Sequence, residues 1–90
     1  MQVVHQIEQQ QFVLEQDGVQ AKLQYQRLQA TDAGADWVDF YHTFVPETLR
    51  GGGVAAQLTS AGVQWAEQSG LRIRASCSYV ARFLQRRTEK

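Results

Sequence analysis

Arg50-Gly51-Gly52-Gly53-Val54-Ala55-Ala56 is the stretch on which the reading of this chain turns. It follows a strand-like run and opens a helix-like one. Three consecutive glycines strip the turn of side chains, so the backbone bends freely and a ligand can approach its N–H groups. The first N–H groups of a helix have no internal partner, and the helix dipole adds partial positive charge there. Strand, glycine turn and helix start together make an anion site, commonly for phosphate. Arg50 adds charge at such a site or else sits in solvent. The turn is not a nucleotide P-loop, because no Gly-Lys-Ser/Thr follows. It also fails the dinucleotide spacing, with Ala56 where a third glycine belongs.

Upstream, residues 36–45 read as a strand. Strict alternation puts Val38, Phe40, His42 and Phe44 on one face and Trp37, Tyr41 and Val45 on the other, with Asp39 and Thr43. Large apolar groups on both faces place this strand centrally in a sheet. Pro46 ends it, having no N–H for a ladder. Downstream, a helix is expected over residues 52–69, with Val54, Leu58, Ala61 and Trp65 on its apolar stripe. Gly70 is its stop. Leu71-Arg72-Ile73-Arg74-Ala75 alternates as a further strand. Strand, helix and strand form a right-handed crossover, so these two strands are parallel. Ser78 is the expected cap of a last helix that runs to residue 87 with Val80, Phe83 and Leu84 inward.

Residues 1–11 are rich in glutamine and weakly patterned, and read as a frayed start. Residues 12–15 form a short strand. Asp17-Gly18 signals a two-residue hairpin turn, both of whose central positions need positive φ. Val19, Ala21, Leu23 and Tyr25 then alternate with polar residues, and Thr31-Asp32-Ala33-Gly34 is a turn. The expected fold is α/β: one domain over residues 1–90, a small mixed sheet, mostly antiparallel, with four strands in chain order. One parallel pair is joined by the helix after the glycine turn.

Ninety residues allow one core and little stability to spare. A single cysteine excludes an intrachain disulfide and the multi-cysteine zinc patterns, and no metal is expected. The absence of a long apolar run and of a signal-peptide core gives the cytoplasm as the expected location. Net charge is zero but divided: residues 1–49 carry two basic and seven acidic side chains, and residues 50–90 carry seven basic and two acidic. A basic half that begins at the glycine turn suits a polyanionic ligand; attraction between the halves, or simple solvation, explains it equally.

Cys77 lies between the last strand and the last helix. A helix N-terminus and nearby arginines lower a thiol pKa, so Cys77 is a candidate nucleophile. Its alternative is a small buried filler. His42, toward the end of the central strand, is a candidate general base for an amine or for Cys77, or else a hydrogen-bonded core histidine.

His42-Thr43-Phe44-Val45-Pro46, Leu49-Arg50-Gly51-Gly52-Gly53-Val54-Ala55 and Ser76-Cys77-Ser78-Tyr79-Val80 together resemble the small members of the GNAT N-acetyltransferase superfamily. Arg50-x-x-Gly53-x-Ala55 is similar to that superfamily's pyrophosphate motif, and the resemblance runs from about residue 12 to residue 87. It implies acetyl-CoA as donor. It also implies a pyrophosphate held by backbone N–H groups from Arg50 to Ala56, and a splayed parallel pair of strands for the pantetheine arm. The contacts it suggests for the CoA moiety are Val45, Arg50, Gly51, Gly52, Gly53, Val54, Ala55, Ala56, Ser78, Tyr79, Arg82 and Arg86. Arg87 joins the two arginines as a reach toward the ribose phosphate, unless all three are a solvated face.

In the small subgroup the cysteine matching Cys77 is the expected active thiol. Tyr79 is a candidate to protonate the departing CoA, or a packed residue with a satisfied hydroxyl. Phe44 departs from relatives that carry a polar residue there. Helices that precede the central strand in larger members are missing, and with them the usual acceptor wall. The acceptor is therefore open: a small amine, a protein amine, or water. The expected assembly is a monomer or weak dimer. Two other readings are a CoA-binding module without transfer activity and a nucleic-acid-binding domain using the basic half. The latter lacks an aromatic ladder between its arginines.

Overall fold

Period-2 alternation in the first half of the chain builds a sheet, and one amphipathic stretch in the second half covers it. The computed structural model describes residues 2–88. In order these are β1 (Val3–Gln6), β2 (Gln11–Gln16), β3 (Val19–Leu28), β4 (Trp37–Phe44), a single 3-10 turn (Glu47–Leu49), α1 (Val54–Gln68), β5 (Arg72–Ala75) and α2 (Ser78–Thr88). The strands form one five-stranded sheet in chain order. β1 through β4 are antiparallel neighbours, and β4 and β5 are parallel. Among the described residues no helix is long and apolar enough to cross a membrane.

The expected frayed start is corrected by β1, which pairs Val3 with Leu14 and Gln6 with Gln11. It adds a fifth strand to the four expected. Tertiary packing secures it where local pattern is weak. His5 stacks on Phe12 at 4.0 Å between ring centroids, meets the Trp65 ring edge-on at 4.7 Å, and shares a 2.6 Å hydrogen bond with the Tyr25 hydroxyl. Such aromatic pairs contribute about 0.5–1.5 kcal/mol beyond area burial.

The β2–β3 turn has Asp17 at φ 54° and Gly18 at φ 76°, the two positive values that a type I′ hairpin demands. α1 begins two residues later than expected, with left-handed Gly53 at its N-cap. It ends as expected at Gly70, φ 72°. There the Leu71 N–H donates to the Ala66 carbonyl and the Gly70 N–H to Glu67, a Schellman stop.

α1 lies over β2 and β3, and α2 packs against β5 and α1. The core sits beneath them: Phe12, Leu14, Ala21, Leu23, Tyr25, Val38 and Phe40 from the sheet, Leu49, Val54, Leu58 and Ala66 from the turn and α1, and Val80 from α2. Gly62 permits the close approach of α1. A Cβ there would lie 2.9 Å from Phe40 Cε1 and 3.0 Å from Leu23 Cδ2.

One register detail shapes everything at the end of β4. Gln24 faces His42, but the next residue, Tyr25, faces Phe40. Tyr41 is therefore the extra residue of a β-bulge, and alternation changes phase there. Val38 and Phe40 point toward α1, as does Thr43, which pairs with core residue Leu23. His42 and Phe44 pair with Gln24 and Lys22 and are exposed on the opposite face. Strict alternation had put His42 and Phe44 with Phe40. The bulge overturns that placement.

Candidate functional site

Two glycines shape the anion turn. Gly51 and Gly53 adopt φ 85° and 77°, a left-handed backbone that side chains rarely tolerate. Gly52 does not require it. The first α1 backbone bond runs from the Gln57 N–H to the Gly53 carbonyl at 3.0 Å, which leaves the N–H groups of Val54, Ala55 and Ala56 without an intrahelical acceptor. They open on a cleft of about 240 Å³ lined by Val45, Leu49, Arg50, Gly51, Gly53, Val54, Ala55, Ala56 and Tyr79. A Cβ on Gly51 or Gly53 would meet nothing within 4 Å, so the approach to the turn is clear. Donors, dipole and open space fit a pyrophosphate. Arg50 is exposed, and its Nε donates to the Val45 carbonyl at 3.0 Å, tying the end of β4 to the turn.

A second groove, about 220 Å³, shares Tyr79 with the first and continues along α2 through Ser78, Arg82, Phe83 and Arg86. Tyr79 is 40 % exposed and lines both grooves. Arg82 and Arg86 place two cationic side chains along this groove. Arg87 does not join them: its guanidinium is 3.3 Å from Glu67 on α1.

Cys77 caps α2. The Ala81 N–H donates to its carbonyl at 3.0 Å, so Cys77 and not Ser78 holds the N-cap position. Its sulfur is half-buried and lies 3.4 Å from Thr43 Oγ1. Burial pushes the thiol pKa up. The Thr43 hydroxyl and the N–H groups of Val80, Tyr79 and Thr43 together outweigh it and hold the thiol below its usual value. Donors from a strand and a helix start thus converge on one sulfur.

The β4–β5 ladder ends at Phe40 and Ala75, while β4 runs on to Phe44. Beyond that point the ladder stops, because β5 gives way to the turn that leads into α2. Ser76 has left the ladder: its N–H donates to Asp39 Oδ1 at 2.9 Å and its hydroxyl to Asp39 Oδ2 at 2.7 Å. The Cys77 N–H then donates to the Phe40 carbonyl at 3.0 Å.

The structure brings together the glycine turn, Val45 and Tyr79, and the α2 groove with Ser78, Arg82 and Arg86. It does not bring His42 to Cys77, since the bulge turns that imidazole to the other face. Thr43 stands in its place, and Asp39 anchors the adjacent loop. Sequence reading passed over both. A lone carboxylate inside an apolar strand was a signal for Asp39. Thr43 had none, because a bulge leaves no mark on local composition.

Comparison with known proteins follows the same lines. Residues 11–90 match the family model described as GCN5-related N-acetyl-transferase. The chain is also 35 % identical over 48 residues to Protein NATD1 of Bos taurus, a match that covers 53 % of this chain and 42 % of that protein. The match thus takes in about two fifths of that curated relative's length.

Proposed function

We propose a function from one premise: the chain belongs to the GCN5-related N-acetyl-transferase family. In this reading the protein binds acetyl-CoA and passes its acetyl group to an amine through Cys77. The observation that carries it is the Thr43 hydroxyl 3.4 Å from the sulfur of Cys77, the residue that caps α2. That sulfur lies two residues from Tyr79, the shared wall of the glycine cleft and the α2 groove.

The N–H groups of Val54, Ala55 and Ala56 bind the pyrophosphate, and the α1 dipole favours its charge. Arg82 and Arg86 take the ribose phosphate. The Cys77 thiolate attacks the acetyl carbonyl carbon. A new carbon–sulfur bond forms, the bond to CoA breaks, and the departing thiolate takes a proton, for which the Tyr79 hydroxyl is the candidate donor. The amine nitrogen then attacks the Cys77 thioester, loses a proton and releases the Cys77 thiolate. Hydrogen bonding alone prepares the nucleophile in this scheme, with no imidazole in contact with it.

Intact-protein mass spectrometry after incubation with acetyl-CoA tests this on the native chain and on Cys77→Ala. The expected result is one acetyl adduct, labile to hydroxylamine and absent from the variant. Calorimetric binding of CoA with no adduct would remove Cys77 from the chemistry. Direct transfer, or binding alone, would then be left. Neither binding nor adduct would overturn acetyl transfer altogether.

A further inference from the structure

We infer that Asp39 and Ser76 are positioning residues for Cys77, a proposal that rests on the reading of Cys77 as the nucleophile. The pair sits at the one place where β5 leaves the sheet. Ala75 is the last ladder residue, and the next residue turns away toward α2. A backbone N–H at such a point ordinarily goes to water. Here Ser76 instead commits both its N–H and its hydroxyl to the two oxygens of one carboxylate, at 2.9 and 2.7 Å.

Asp39 is only 9 % exposed, yet neither ion pair among the described residues, Arg72–Asp32 and Arg87–Glu67, involves it. Burying a charge without a cation is expensive unless hydrogen bonds offset it. Ser76 supplies two such bonds. The next peptide is fixed from the other side, by the Cys77 N–H on the Phe40 carbonyl. Asp39 and Phe40 are adjacent on β4, so two consecutive residues of one strand hold two consecutive residues of the other. This sets the direction in which Cys77 enters α2, and hence whether its sulfur meets Thr43 and the N–H groups of Tyr79 and Val80 together.

A charge acting only through space would behave in the opposite way. A carboxylate near a thiol disfavours the thiolate, so neutralising Asp39 would ease ionisation. A positioning carboxylate makes ionisation harder when it is lost, because the donors no longer converge. The sign separates the two. Other charged groups nearby are Arg74, opposite Asp39 in the β5 register, and Arg82 on α2. Both remain in every variant below.

The experiment is the pH dependence of Cys77 alkylation by iodoacetamide, with no acetyl donor present, alongside thermal melting. Asp39→Asn should move the midpoint upward, slowing alkylation at neutral pH about three- to tenfold, as a shift of about half to one unit requires. Ser76→Ala, which keeps the N–H bond, should move it the same way by less, and Ser76→Thr should restore the native midpoint. A midpoint that falls, or one that stays fixed while melting temperature drops, would overturn the proposal. Should Asp39→Asn not fold, Ser76→Ala and Ser76→Thr decide it alone. Alkylation and acetylation read different things. A shifted midpoint in a chain that forms no acetyl adduct sinks the nucleophile and leaves the positioning effect standing. An adduct with no shift does the reverse.

Discussion

Thr43 Oγ1 and Cys77 Sγ lie 3.4 Å apart, just beyond the last paired residues of β4 and β5. The contact exists because Tyr41 is looped out of register. Without that bulge, Thr43 would face solvent and His42 would face the sulfur. A one-residue slip in strand phase thus selects which side chain attends the thiol.

Replacing the hydroxyl should therefore matter and replacing the imidazole should not. Thr43→Val keeps the shape and removes a donor to the thiolate. The alkylation midpoint of Cys77 should rise by about half to one unit. His42→Gln should leave the midpoint where it is. The same iodoacetamide profile checks both, and a shift confined to His42→Gln would contradict the bulge.

The three glycines of the turn should not be equivalent. Ala at Gly53 must adopt left-handed φ at a strain of about 1 kcal/mol, and the turn will relax by swinging its N–H groups away from the cleft. Ala at Gly52 meets only the Leu49 carbonyl, at 3.9 Å, in an ordinary backbone conformation. Calorimetry with CoA should show about a tenfold weaker complex for Gly53→Ala, about 1.4 kcal/mol, and little change for Gly52→Ala.

Gly62→Ala tests how closely α1 rests on the sheet. Alanine favours a helix by about 1 kcal/mol over glycine. The new methyl, however, would press on Phe40 and Leu23, both fully buried and without room to yield. Overpacking of this kind typically costs about 1–3 kcal/mol. A net loss of about 1 kcal/mol should lower the melting temperature by about 4–8 °C. A gain in stability would show that the core yields.

His5 should make stability depend on pH. Burial among Phe12, Tyr25 and Trp65 lowers its pKa below 6.5, so the unfolded chain binds the proton more readily. Its contribution is complete above about pH 6.5 and is lost as pH falls through the native value. Urea unfolding of the native chain and of His5→Phe, compared from pH 7 down to pH 5, should show a steeper fall for the native chain. Parallel curves would remove His5 as the cause.

Much of the fold was legible because its signals are local. Asp17-Gly18 demands two positive φ values and receives them. Gly70 stops α1, and Pro46 follows β4. The crossover from β4 through α1 to β5 follows from handedness and chain length alone. β1 was hidden because Val3–Gln6 is short, does not alternate and lies in a glutamine-rich stretch, and the strand is held by rings from β2, β3 and α1 that lie far along the chain. Ser78 looked like the cap because serine prefers that position. Cys77 occupies it because the Phe40 carbonyl and Asp39 fix where the chain turns.

By itself, then, the sequence determined the class of fold, the parallel pair, the glycine turn at a helix start and the presence of one thiol near another helix start. Each of these is read from local patterns and from the order in which they follow one another along the chain. Tertiary structure alone decided what surrounds that thiol. A bulge on β4, a carboxylate two residues before it and a hydroxyl two residues after it act across the sheet on residues more than thirty positions away. Local patterning carries no record of such distances, because strand phase is set by the neighbour against which the strand is laid.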